Sequence, residues 1–164
     1  MNNNSDQIIK LAQEILNIES EEILKVSKNI SNNFSDAVNE ILNCFGRIVV
    51  SGMGKSGHIA RKTASTFAST GTPAFFMHPG EASHGDLGMI TKEDIVIFFS
   101  NSGQSDELIS ILPTIKRIGA RIISISGNAN SELASQSDIH ISAAVTKEAC
   151  PLGLAPTASS SVSL

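Results

Sequence analysis

At 164 residues the chain has room for one domain with a core of its own. A hydrophobic share of 41%, a charged share of 17% and a formal net charge of -4 without a basic cluster describe a globular protein and argue against DNA or RNA as a partner. Tryptophan and tyrosine are absent, which removes the aromatic platforms on which single strands stack their bases.

The chain opens on Met1-Asn2-Asn3-Asn4, polar and uncharged, and an amphipathic pattern rather than an apolar leader follows, so no signal peptide is expected. No run approaches membrane-spanning length. Cys44 and Cys150 are too few for a disulfide framework and read as reduced thiols, which points to a cytoplasmic protein with no membrane partner. Ile8, Leu11, Ile15, Ile18, Ile23, Val26 and Ile30 recur at three- to four-residue spacing behind a Ser5-Asp6 N-cap, the pattern of a long amphipathic helix. After the Ser31-Asn32-Asn33 break, a second helix is expected from Ser35 to Cys44, with Gly46 as its left-handed stop. Residues 1–45 are thus expected to form a helical arm, its apolar face packed on a second subunit or back on its own domain.

From residue 46 onward strands and helices alternate. Strands are expected at Ile48-Val49-Val50, Ala74–Met77, Ile95–Phe99, Ile122–Ile125 and Ile139-His140-Ile141. Helices are expected from His58 to Ser69, from Asp106 to Ile118 with a stop at Gly119, and around Ser131 to Ser135, and a loop from His78 to Asp86. Strands separated by such helices require right-handed crossovers. The fold class is therefore α/β, a three-layer αβα sandwich on a five-stranded parallel sheet of flavodoxin-like order 2-1-3-4-5.

In that order the first and third strands are neighbours whose helices leave toward opposite faces, and a crevice opens at their carboxyl ends. One side of it carries Ser51, Gly54, Lys55 and Ser56; the other carries Ser100, Asn101, Ser102 and Ser105. The second of these turns runs straight into a helix N-terminus, where free N–H groups and a partial positive charge suit a phosphate. A single serine there would be an ordinary cap, but three hydroxyls around Gly103 exceed what a cap requires. The first turn, Gly52-Met53-Gly54-Lys55-Ser56-Gly57, matches the dinucleotide fingerprint G-x-G-x-x-G, yet the second strand ends in Met77-His78 rather than an acid. It also lacks the leading glycine of a P-loop, because position 49 is valine.

These residues resemble the sugar isomerase (SIS) family of phosphosugar-binding domains, and within it the arabinose-5-phosphate isomerases. The resemblance rests on Gly52 to His58, on His78-Pro79-Gly80-Glu81-Ala82-Ser83-His84-Gly85-Asp86-Leu87-Gly88, on Ser100 to Ser105, and on Lys147-Glu148-Ala149-Cys150-Pro151-Leu152-Gly153-Leu154-Ala155-Pro156-Thr157. It implies interconversion of D-arabinose 5-phosphate and D-ribulose 5-phosphate through an enediol, on the way to the lipopolysaccharide sugar Kdo, by a homotetramer that needs no cofactor. It also implies that Lys55, His84, Glu107 and Glu148 sit in the active site. Glu148 is expected to be the C2 base with Glu107 as its rival, His84 to act in ring opening or proton transfer, and Lys55 to stabilise the phosphate or a developing oxyanion.

Plainer readings stand beside these. Glu107, in a first helical turn, favours the dipole in any case. His58 reads as a surface residue and His140 as an ordinary strand residue. His78 and His84, with Glu81 and Asp86, are candidates to hold zinc at the His84 site, although the spacing matches no standard metal motif; Cys150 is either a further ligand or a small apolar packing residue. Thr157 to Leu164 resembles the opening turns of a helix without a terminator, so a truncated chain is expected, and the resemblance implies a further histidine-bearing segment and a paired CBS module. The alternative function is a phosphosugar-binding module without catalysis, which needs the serine cradle but neither His84 nor Glu148.

Overall fold

The computed structural model describes residues 3–164; Met1 and Asn2, on which the reading of a leaderless start partly rests, lie outside the described residues. The strands β1 (Ile48–Gly52), β2 (Ala74–Met77), β3 (Ile95–Ser100), β4 (Arg121–Ser126) and β5 (Ile139–Ser142) form one parallel sheet in the order β2-β1-β3-β4-β5, as the alternation of elements led us to expect. The helices are α1 (Asn3–Lys28), α2 (Asn32–Leu42), α3 (Gly54–Ser69), α4 (Pro79–Ala82), α5 (Asp106–Ile118), α6 (Glu132–Gln136) and α7 (Ala158–Ser163), with a 3-10 turn at Asp86–Met89.

Every residue of β1 and β3 is buried, because helices cover both faces of the sheet. Period-two alternation splits the core in two. Val49, Val96, Phe98 and Ile122 point to one face, where Leu108, Ile111, Leu112 and Ile115 of α5 and Leu133 of α6 meet them. Ile48, Val50, Ile95, Ile97, Phe99 and Ile123 point to the other, toward Ala60 and Ala64 of α3 and Ala37 of α2. Between α2 and α3 this second face keeps an apolar trough of about 350 Å³ over Ile97, Phe99, Ile123 and Ile125.

Several boundaries differ from the sequence reading. α1 starts at Asn3, so Ser5 and Asp6 lie inside its first turn instead of capping it. α2 starts at Asn32 behind an extended Ser31, and Gly46 is not left-handed. Glycine is required there by a close approach instead, since a Cβ would sit 2.5 Å from Asp94 Oδ1. The third helix starts at Gly54, four residues early, because Gly57 N already donates to Met53 O at 3.2 Å. A Cβ on Gly57 would lie 2.7 Å from Gly52 O, so only glycine lets the helix sit so close to the end of β1. The expected loop from His78 contains α4, whose first turn is capped by His78 Nδ1 accepting from Gly80 N at 3.2 Å.

The arm also divides. α2 lies on its own sheet, with Ala37 buried in the core, while residues 4–14 of α1 are exposed all round and leave Ile8, Ile9 and Leu11 in solvent. The second half of α1 docks through a buried carboxylate. Glu22, 1% exposed, accepts from Lys25 Nζ, Thr146 N and Thr146 Oγ1, each at 2.6 Å. The hydrogen bond from Lys25 and those from Thr146 outweigh burial and hold its carboxyl at about 2, down from an ordinary 4.5. A carboxyl depressed in the folded state stabilises the fold fully above its unfolded pKa and loses that contribution as pH falls through the folded one. The melting temperature of the protein is therefore expected to fall between pH 4.5 and about 2, and Glu22→Gln to flatten that part of the profile, as calorimetry across the range would read.

Candidate active site

The carboxyl ends of β1 and β3 are paired, with Gly52 opposite Phe99, so the chain leaves both strands at one point of the sheet. From β1 it enters α3 within two residues, which puts Lys55 and Ser56 in the first turn of a 16-residue helix. From β3 it passes through Asn101 to Gly103 and enters α5 behind Ser105. Two helix N-termini, with their unpaired N–H groups, thus follow adjacent strand ends. This crevice holds a cavity of about 330 Å³ lined by Met53, Lys55, Ser56 and Ile59, by Asn101, by Glu148 with the Gly153–Pro156 turn, and by Ser159, Ser160 and Ser163 of α7.

Of the residues singled out in the sequence, Lys55, Ser56, Asn101 and Glu148 line this one cavity. Ser51 lies beneath, fully buried at the end of β1, its hydroxyl without a hydrogen-bond partner among the described residues. Gly54 adopts a φ of 55° at the turn and lines a neighbouring cavity of about 220 Å³ together with His58, Arg61 and His78. There the Arg61 guanidinium stacks 3.9 Å from the Phe76 ring centroid. Ser100 and Ser105 face each other, Oγ to Oγ at 3.2 Å, and Ser100 Oγ also accepts from Gly103 N at 3.1 Å. Ser102 Oγ accepts from Gln104 N at 3.2 Å and is exposed. These hydroxyls shape the turn that presents the N-terminus of α5. His84 and Glu107 are exposed and do not line the cavity.

The geometry at Glu148 is asymmetric. Its Oε2 accepts from Thr157 N at 2.7 Å, Thr157 Oγ1 at 2.9 Å and Ser159 N at 3.3 Å, whereas Oε1 accepts no hydrogen bond among the described residues. Burial pushes the carboxyl up, but the hydrogen bonds from Ser159 and Thr157 together outweigh it and hold it below the usual range. The group is therefore an ionised carboxylate with one oxygen fixed and the other available to a ligand. Thr157, Ser159 and Ser160 went unassigned in the sequence, where they read only as the start of a helix. The signal was the Glu148–Thr157 spacing, which closes a loop on itself once Thr157 Oγ1 accepts from Ala149 N at 2.7 Å.

The remaining titratable groups play other parts. Amides of Ala155, Leu154 and Leu152 around Cys150 hold its thiol below the ordinary range. His140 shares a hydrogen bond with Ser124 Oγ at 3.1 Å through Nδ1, its Nε2 is buried without a hydrogen-bond partner among the described residues, and burial lowers its pKa. Among the described residues no three His, Cys, Asp or Glu side chains converge as a metal-binding group, and no helix is long and apolar enough to cross a membrane.

The SIS domain model matches residues 41–164. Arabinose 5-phosphate isomerase KdsD of Escherichia coli K12 is 52% identical over 152 residues, which are 93% of this chain and 46% of that protein. The same-named protein of Pseudomonas aeruginosa is 49% identical over 164 residues, 100% of this chain and 50% of its own length. The chain thus spans about half the length of the curated relatives it matches. An E. coli CFT073 structure in complex with arabinose 5-phosphate superposes with a TM-score of 0.92 at 43% identity, covering 99% of this chain and 85% of that one. The sugar isomerase domain of an RpiR transcription factor from Sphaerobacter thermophilus shares the fold alone, at a TM-score of 0.79 and 17% identity over 94% of this chain and 86% of that one.

Proposed function

The chain belongs to the SIS domain family, and on that premise we propose that it is an aldose–ketose isomerase interconverting D-arabinose 5-phosphate and D-ribulose 5-phosphate, the step that supplies Kdo synthesis. The observation that carries the reading is the half-fixed carboxylate of Glu148 in one cavity with Lys55. The phosphate is held between the first turn of α3 and the Asn101–Gly103 turn that leads into α5, by N–H groups, Ser56, Ser102 and the Lys55 charge. The open-chain sugar then reaches toward Glu148. Its free oxygen takes the C2 proton, the C1–C2 double bond forms as the carbonyl oxygen on C1 takes a proton from solvent, and the enediol results. Loss of the O2 proton to solvent re-forms a carbonyl at C2 while Glu148, whose acquired proton exchanges with solvent during the life of the enediol, delivers a proton to C1. Only protons move, so the reaction needs no cofactor, and zinc at the His84 site stands outside this route. Assembly as a homotetramer belongs to the same reading, and the exposed apolar residues of α1 support it.

Formation of ketopentose phosphate from arabinose 5-phosphate in the presence of EDTA tests the proposal. Lys55→Ala is expected to lower kcat/KM roughly 30-fold, the equivalent of about 2 kcal/mol for a charge-assisted contact to phosphate. The second reading, a phosphosugar-binding module without catalysis, draws its support from the position of His84 and Glu107 outside the cavity. Binding of arabinose 5-phosphate without any ketose would favour it.

A further inference from the structure

Glu148 sits in a segment, residues 143–157, that contains neither helix nor strand. Such a segment fixes a side chain only through the bonds that tie it down. Two ties reach it or its continuation from α1. Glu22 accepts from both donors of Thr146, two residues before Glu148, and Glu19 Oε2 accepts from Ser161 Oγ of α7 at 2.6 Å. Lys25 closes the first tie, donating to Glu22 Oε1 at 2.6 Å and to Thr146 Oγ1 at 2.9 Å. A buried carboxylate is retained only where its oxygens are fully bonded, and at Glu22 every bonded partner is Lys25 or Thr146.

We propose that Glu22 is a positioning residue for the base: by gripping Thr146 from α1 it fixes the start of the loop that presents Glu148 to the cavity. The far end of that loop is held by Thr157, which bonds Glu148 itself. With the Thr146 end released, the loop pivots on Thr157 and the bonds to Glu148 Oε2 lengthen. The carboxyl then loses part of what holds it ionised, and its free oxygen leaves the reacting position. The phosphate contacts stand on the ends of β1 and β3, which Glu22 does not touch, so substrate binding is left in place.

The kinetic consequence rests on the isomerase reading, whereas the consequence for the Glu148 carboxyl does not. The test is therefore an NMR titration of the Glu148 carboxyl in the free protein, together with kinetics, for Glu22→Gln and for Thr146→Val. The second variant keeps the Glu22–Lys25 pair and the Thr146 amide and removes only a hydroxyl. In both, the Glu148 midpoint is expected to rise by about half a pH unit or more. The turnover number should fall roughly tenfold with KM within about twofold, and its acidic limb should move up with the midpoint. Thr146→Ser should restore both. A Glu148 midpoint and a turnover number unchanged in a folded variant would overturn the proposal, as would a rise in KM alone. If Glu22→Gln does not fold, Thr146→Val decides. If the unmodified protein turns nothing over, the isomerase reading falls, and the Glu148 midpoint in the variants still decides whether α1 positions that carboxyl.

Discussion

Glu148→Gln is expected to lower turnover of arabinose 5-phosphate by about a thousandfold, within the range that a positioned general base contributes. The amide is nearly isosteric, and its carbonyl oxygen can still accept from Thr157 and Ser159, so the loop keeps its shape. What it cannot do is take a proton from carbon. On the proposed reading binding rests on the first turn of α3, the turn before α5 and Lys55, so KM should stay within about threefold. Steady-state kinetics reads the first effect and the phosphorus shift of bound sugar phosphate the second. Activity within tenfold of the parent would pass the role of base to Glu107, which lies in the first turn of α5, outside the cavity.

Gly103→Ala is expected to destabilise the fold by about 3 kcal/mol, the sum of a left-handed penalty and the cost of overpacking. Gly103 has a φ of 65°, and a Cβ there would fall 2.1 Å from Ser131 Oγ and 2.5 Å from Ser131 Cβ. Ser131 cannot yield, because it is fully buried and its hydroxyl caps α6 by accepting from Ala134 N at 3.2 Å. The same glycine accepts from Leu133 N at 3.1 Å and donates to Ser100 Oγ, so the clash spreads into the turn before α5. Urea unfolding should show the loss, and phosphate affinity should weaken with it. A loss under about 1 kcal/mol would mean that this turn relaxes freely.

The sheet was legible because its strands are short apolar runs between helices, and parallel order follows from that alternation. Helix starts were less so. Lys55 and Ser56 read as loop residues because two glycines flank them, yet the contact of Gly57 with Gly52 O, which no periodicity reveals, winds the helix back to Gly54. Periodicity showed an apolar face on the arm and not its partner: α2 has a sheet to cover, since the chain brings that helix against β5. At the site, topology was enough to bring Lys55, Ser56 and Asn101 together, because it aligns the ends of β1 and β3, whereas Glu148 was placed there by the family resemblance alone. Thr157 and Ser159 escaped notice since hydroxyls at a helix opening look like caps. Glu22 was invisible for a deeper reason. A glutamate in an amphipathic helix reads as solvent-facing, and the partner that buries it lies 124 residues away.

The central claim is that this cavity moves a proton to and from C2 of a pentose phosphate. The measurement that tests it most directly is proton NMR of arabinose 5-phosphate in deuterated water with the protein and EDTA. The account predicts deuterium entering at C2 of recovered arabinose 5-phosphate as ribulose 5-phosphate accumulates, with both signals lost in Glu148→Gln. Sugar phosphate that binds, by its phosphorus shift, yet keeps its C2 proton indefinitely would contradict it.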